Sequence, residues 1–154
     1  MKVVLYQPQI PQNTGNIVRT CAATGSSLTL VKPLGFSTSS RMLKRAGLDY
    51  WENVKVDQID DLLSYLENTD KSFYFFSSKA KKIYTDAAYE KDALLIFGSE
   101  TSGLSPIFYE RWPERFYTLP MKKGIRCLNL AISVSVVLYE AHRQQKFIFG
   151  RRKG

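Results

Sequence analysis

An α/β fold with a parallel sheet is what the amino-acid sequence predicts, on three observations. A strand–helix–strand unit opens the chain, short apolar runs recur with small polar residues at their ends, and a long apolar helix lies near the carboxyl end. Parallel strands require a crossover between them, and a helix after the first strand supplies one. The 154 residues are 44% hydrophobic and 23% charged, proportions of an ordinary globular domain. That length suits one hydrophobic core, so a single domain over residues 1–154 is expected.

The elements follow in order. Lys2–Tyr6 is a β-branched and apolar run closed by Pro8, a buried strand. Asn13 or Thr14 caps a helix in which Ile17, Val18, Cys21 and Ala22 recur at helical spacing until Gly25 stops it. Leu28–Val31 is the next strand, and after Pro33-Leu34-Gly35 a short basic helix spans Ser39–Ala46. Val54–Val56 is a weak strand; Ile59, Leu62, Leu63 and Leu66 then mark an amphipathic helix whose acids face water. Phe73–Phe76 and Leu94–Phe97 read as central strands whose carboxyl ends open onto a ligand crevice. Phe116–Leu119 is a last strand halted by Pro120, and Leu128–Gln144 is the longest helix. Leu130, Ala131, Val134, Val137, Leu138 and Ala141 cover more than one of its faces. It is therefore expected to be buried against the sheet and against a second subunit, the alternative being burial wholly inside one monomer.

A formal net charge of +8 favours an anionic partner, nucleic acid first. No acid precedes Asp49, whereas Lys2, Arg19, Lys32, Arg41, Lys44 and Arg45 do; a second basic set holds Lys122, Lys123, Arg126, Arg143, Lys146, Arg151, Arg152 and Lys153. Acids gather instead between Glu52 and Asp70, a poor surface for phosphates. Two cysteines, Cys21 and Cys127, form neither a disulfide framework nor a zinc pattern, which suits a reducing compartment and excludes metal chemistry. With no leader-like start and no apolar run long enough to span a bilayer, a cytoplasmic protein without membrane contact is expected. His142, the lone histidine, reads as a surface residue.

Three polar, glycine-containing constellations follow apolar runs. In Asn13-Thr14-Gly15-Asn16-Ile17-Val18-Arg19, Gly15 permits close backbone approach and a helix start offers free amides to an anion, with Arg19 one turn further on. A cap and a surface cation account for the same residues. In Phe97-Gly98-Ser99-Glu100-Thr101-Ser102-Gly103-Leu104, the glycines let backbone wrap a ligand while Glu100 brings a carboxylate; a plain turn is the alternative. Neither a dinucleotide fingerprint nor a Walker loop is present. The third runs from Leu119-Pro120-Met121 through Lys122-Lys123-Gly124-Ile125-Arg126 to Cys127-Leu128-Asn129-Leu130. There Asn129, Ser133 and Glu140 draw a polar line along the last helix, which serves a site or bonds across a dimer interface.

In this order, N-x-G-N-x-x-x-R, F-G-x-E-x-x-G-L and L-P-M through R-C-L-N-L, the constellations resemble the three motifs of the SPOUT methyltransferases. The likeness is to the short, single-domain branch that methylates the wobble-nucleotide ribose of certain tRNAs. It covers nearly the whole chain, including Tyr6–Asn16 and Arg45-Ala46-Gly47-Leu48-Asp49-Tyr50. It implies a parallel sheet with a carboxyl-terminal trefoil knot, where spacing alone leads to an ordinary doubly wound fold. It also implies S-adenosylmethionine as cofactor, tRNA as partner, and a homodimer packed through the first and last helices. The implied reaction is 2'-O-methylation of the wobble cytidine or uridine of leucine tRNAs.

Carried over position by position, the resemblance places Phe76 and Ser77, then Gly98, Glu100 and Gly103, then Leu119, Met121, Cys127 and Leu128 around the cofactor, largely through backbone groups. It places Arg19 at the target ribose, with Asn13, Glu100 and Asn129 completing the catalytic set. Serine is usual where this chain has Cys127, a weaker hydrogen-bond donor, so cofactor affinity is the property that substitution touches. Arg19 keeps its proton and is no free base; it is expected to orient the ribose or phosphate, leaving the hydroxyl proton to a phosphate oxygen, water or Glu100. Arg41, Lys44, Arg45, Lys122, Lys123 and Arg126 are expected to contact RNA phosphates, and Tyr50 or Trp51 to pack in the core or stack a base. Two rivals stand beside this reading: the same chemistry on ribosomal RNA, and a non-catalytic RNA-binding protein.

Overall fold

The computed structural model describes residues 1–47 and 50–150. The expectations resting on Leu48, Asp49, Arg151, Arg152 and Lys153 lie outside the described residues. Strands β1 (Lys2–Tyr6), β2 (Ser27–Val31), β3 (Val56–Ile59), β4 (Phe73–Phe76), β5 (Lys82–Ile83), β6 (Leu94–Phe97) and β7 (Phe116–Thr118) form one sheet in the order β3-β2-β1-β6-β4-β7-β5. Every pairing is parallel. Among the described residues five α-helices accompany it: α1 (Pro11–Thr24), α2 (Arg41–Gly47), α3 (Leu62–Glu67), α4 (Pro106–Arg111) and α5 (Leu130–Gln144).

Side-chain alternation along the strands divides the core between two sheet faces. Val3, Leu5, Leu28, Leu30, Leu95 and Phe97 meet Ile17, Val18 and Cys21 of α1 and Val134, Val137, Leu138 and Ala141 of α5. Val4, Val31, Phe75, Leu94 and Ile96 meet Leu62 and Leu66 of α3 and Phe108 of α4 on the other face. Burial on both faces is why the central strands read as unbroken apolar runs.

Several boundaries differ from expectation. Helix α1 begins at Pro11, and Ile10 rather than Asn13 or Thr14 is its N-cap, without a side-chain cap bond. Val54 is buried, but the strand starts at Val56; Ile59 ends that strand instead of opening α3, which Asp61 caps through Ser64 N–H. Helix α5 starts at Leu130, two residues late, and β7 ends before Leu119. Within α5 only one side is buried; Ile132, Val136 and Tyr139 remain exposed.

The order of strands in the sheet departs from their order in the chain where it matters most. Strand β7 lies between β4 and β5, with Phe76 level with Tyr117 and Lys82 level with Tyr117 from the other side. Residues 77–81 therefore carry the chain across the end of β7, and a later strand occupies the gap beneath an earlier connection.

Candidate active site

Since all strands are parallel, the loops after β1, β6, β4 and β7 leave one edge of the sheet from four neighbouring positions. Leu5, Phe97, Phe76 and Tyr117 stand level across it. Three of those loops start at Ser77, Gly98 and Leu119, the loops the sequence picks out, and the carboxyl edge of a parallel sheet is where ligands bind. Phe76 itself is 6% exposed and stacks on Phe97 at 4.8 Å, so its ring belongs to the core beneath the edge. Ser77 extends the β4–β7 ladder through its N–H to Tyr117 C=O and accepts from Lys79 N–H at its hydroxyl.

Glu100 ties two of these segments together. Its Oε1 accepts from Gln9 N–H at 2.9 Å, and its Oε2 accepts from Ile10 N–H at 2.7 Å and from Asn13 Nδ2 at 3.2 Å. A carboxylate thus sits at the amino end of α1, where amides lack partners and the helix dipole favours negative charge. Asn13, 5% exposed, passes the connection on: its Oδ1 accepts from Asn129 Nδ2 at 2.9 Å. The Asn129 Oδ1 caps α5 by accepting from Ala131 and Ile132 N–H. One relay, Glu100–Asn13–Asn129, joins all three motifs. Of the polar line expected on α5, Asn129 serves this relay, whereas Glu140 bonds Arg143 and Gln144 on its own helix.

Two glycines carry the close approaches. A side chain on Gly98 would stand 2.5 Å from the Gly103 carbonyl carbon, because Ser99 and Gly103 exchange backbone hydrogen bonds and fold the loop back on itself. Gly15 has a different neighbour from the one expected: its missing Cβ makes room for Ala46 Cβ, 2.3 Å from the ideal position, so it serves α2 rather than a ligand.

The segment from Met121 to Leu128 is suited to hold a cofactor. Among the described residues it makes a single backbone–backbone hydrogen bond, Ile125 N–H to Lys122 C=O, which leaves most of its amides and carbonyls open to a ligand. Half-buried Leu119 and Met121 and the 38% exposed Leu128 add apolar surface. Free backbone donors and acceptors beside apolar side chains are what an adenine ring and an amino-acid tail require. Cys127, within this segment, is exposed, so its thiol takes no part in core packing. Burial pushes the other thiol, Cys21, up to about 12 and leaves it inert.

Arg19 stands apart from the relay. Six residues beyond Asn13, it lies about 9 Å further along α1 by helical rise and on another face, exposed where Asn13 is buried. Its guanidinium lies 5.2 Å from the centre of the Tyr50 ring, and among the described residues no carboxylate pairs with it. Tyr50 and Trp51 both pack against the core. Arg41, Lys44 and Arg45 are exposed on α2, and Lys122, Lys123 and Arg126 are exposed on the third loop. His142 departs from expectation: half-buried, it bonds Ser26 Oγ at 3.1 Å and meets the Phe149 ring edge-on, and burial lowers its pKa to about 4.

The SpoU rRNA Methylase family model matches residues 1–139. This chain belongs to that family. A relative from Listeria monocytogenes, provisionally named a tRNA (cytidine(34)-2'-O)-methyltransferase, is 47% identical over 149 residues, covering 94% of this chain and 88% of the relative. Another from Burkholderia pseudomallei, named a tRNA (cytidine(34)-2'-O)-methyltransferase, is 42% identical over 149 residues, covering 94% and 96%. A solved structure described as giving structural insights into the 2-OH methylation of C/U34 on tRNA superposes with a TM-score of 0.87 at 41% identity, covering 94% of this chain and 95% of that one. The matched residues include the three segments that the parallel edge and the Glu100–Asn13–Asn129 relay bring together.

Proposed function

We propose that this SpoU family member is a tRNA 2'-O-methyltransferase that uses S-adenosylmethionine to methylate the ribose of nucleotide 34, a cytidine or uridine, in leucine tRNAs. The observation that carries this reading is the convergence of the three motif loops on one sheet edge, held by the Glu100 clip. The relatives named for C34 methylation support the substrate. When bound, S-adenosylmethionine supplies an electrophilic methyl group, so positioning the acceptor hydroxyl in line with it does much of the work. The Met121–Leu128 segment offers backbone groups to the cofactor, and Gly98 and Gly103 shape the facing loop.

Arg19 stays protonated and orients the ribose or its phosphate. Glu100 already accepts three hydrogen bonds, which favours a positioning role and leaves the hydroxyl proton to a phosphate oxygen or water. The exposed cations of α2 and the third loop take RNA phosphates. Ile132, Val136 and Tyr139 lie at helical spacing on the outer side of α5 and suit a homodimer, an assembly that would bring one subunit's Arg19 toward its partner's loops. The crossing of residues 77–81 over β7 fits a single knotted domain over residues 1–154. Such an enzyme works in the cytoplasm, where free cysteines persist.

The test is methyl transfer from isotopically labelled S-adenosylmethionine to purified tRNA and ribosomal RNA, with the modified nucleotide mapped by mass spectrometry. Label at the ribose of nucleotide 34 of leucine tRNAs is expected. Label confined to ribosomal RNA, or cofactor binding that calorimetry fails to detect, would overturn the reading.

A further inference from the structure

A cleft of about 620 Å³ opens beside the site described above, at the carboxyl ends of β2 and β3. Lys32, Phe36, Ser37, Gln58 and Asp60 line it. It lies on the same sheet edge as the methyl-transfer loops, because β2 and β3 run parallel to β1 and β6. In the order β2-β1-β6 the two strand ends stand roughly 10 Å apart at the usual strand spacing, within reach of a single RNA chain.

Backbone contacts tie the two places together. Gly35 donates its N–H to Pro8 C=O at 2.9 Å, and the next residue, Gln9, donates its N–H to Glu100. The position a side chain on Gly35 would take lies 2.7 Å from Gln9 Cα, so the loop bearing Phe36 is pressed against the β1–α1 connection that the Glu100 clip holds. The cleft is thereby placed by the same contacts as the active site.

Its lining combines groups that a nucleobase uses. The half-buried Phe36 ring belongs to neither apolar core and has no aromatic partner among the described residues, so it offers a face for stacking. Among the same residues the Gln58 amide makes no hydrogen bond and is exposed, a free donor and acceptor for a base edge. Lys32 Nζ lies 3.2 Å from Asp60 Oδ1 at the mouth, a surface pair that a phosphate can open. Exposed Arg41, Lys44 and Arg45 follow the loop directly and can track the backbone on either side. An aromatic face, an amide and flanking cations are the recurrent elements of single-stranded RNA recognition.

We propose that this cleft is a nucleobase subsite, in which an unpaired base flanking the methylated nucleotide stacks on Phe36 and meets the Gln58 amide. The proposal rests on the tRNA reading for the identity of the RNA and not for the existence of the site. Its test is therefore direct binding of a synthetic tRNA anticodon stem-loop, measured by fluorescence anisotropy, alongside S-adenosylmethionine binding by calorimetry. Phe36→Leu keeps apolar volume and removes the aromatic face; Phe36→Tyr keeps the face. The expected result is that Phe36→Leu weakens stem-loop binding roughly five- to a hundredfold, the range of base–aromatic stacking, while Phe36→Tyr and cofactor affinity stay close to the unaltered protein. Replacing loop nucleotides one at a time with abasic ones should identify one position at which the Phe36→Leu penalty disappears, since the two deletions then remove the same contact. Gln58→Ala should lose its own, smaller effect at that same position. Stem-loop affinity unchanged in Phe36→Leu, or a penalty that persists at every abasic position, overturns the subsite. Absence of methyl transfer with the Phe36 coupling intact overturns the tRNA reaction and leaves the subsite standing.

Discussion

In the proposed reaction the Glu100–Asn13–Asn129 relay is a clip and Arg19 is the contact at the reacting end. Arg19 is exposed, its guanidinium lies over the Tyr50 ring and among the described residues it makes no side-chain hydrogen bond or ion pair, so Arg19→Ala should abolish methyl transfer while cofactor affinity and the denaturation midpoint stay near their original values. Calorimetry and a single-turnover assay check this pair of outcomes; full turnover in the variant would remove Arg19 from the reaction. Glu100 behaves in the opposite way. In Glu100→Gln an amide group must face Gln9 or Ile10 N–H, donor against donor, so one half-buried hydrogen bond is lost and another strained. A loss of about 1–3 kcal/mol in stability is expected from urea unfolding, with weaker cofactor binding, because the Gly98–Leu104 loop is no longer held against α1.

At the level of elements, what could be read from sequence follows burial. Strands β1, β4 and β6 are covered on both faces and announce themselves as apolar runs with the right bounds. Strand β5 comprises two exposed residues, and α4 opens on Pro106 with only Phe108 buried, so neither leaves a pattern to find. The start of α1 differs from the expected Asn13 or Thr14 for a more instructive reason. The residues just ahead of it, Gln9 and Ile10, are held by a carboxylate some ninety positions away, invisible to any local rule; Pro11 at the first helical position is the one local signal. The same long-range bond explains why Asn13, Glu100 and Asn129 could be chosen as a set only through resemblance, and the Phe36 cleft, assembled from two loops without a motif, could not be chosen at all. Gly15 gives the element-scale prediction. Gly15→Ala places a methyl 2.3 Å from Ala46 Cβ and 2.9 Å from Leu43 C=O, so α2 must move off α1. A destabilisation of about 1–3 kcal/mol is expected, together with weaker RNA binding, because Arg41, Lys44 and Arg45 travel with α2. Urea midpoints and stem-loop titration read the two effects separately.

For the molecule as a whole, His142 links stability to pH. Its folded pKa of about 4 lies below the ordinary 6.5, chiefly through burial, so the unfolded chain binds a proton that the folded one refuses. The contribution is fully present above pH 6.5, falls as pH drops through that value, and stops falling below about 4. Urea midpoints at pH 7 and pH 5, where most carboxylates remain ionised, should therefore decline more steeply for the unaltered chain than for His142→Gln; equal declines would show that the imidazole is not the sensor.

The placement of β7 between two earlier strands also has a cost during synthesis. Until Thr118 has been made, one edge of β4 has no neighbour, and at roughly 5–20 residues per second a ribosome needs about 2–8 s to cover the distance from Phe76. Through that interval the nascent chain presents Phe73–Phe76, an aromatic strand with open amides and carbonyls, to every other chain nearby. Aggregation of prematurely terminated chains, more than slow folding of finished ones, is the hazard this architecture creates for the cell.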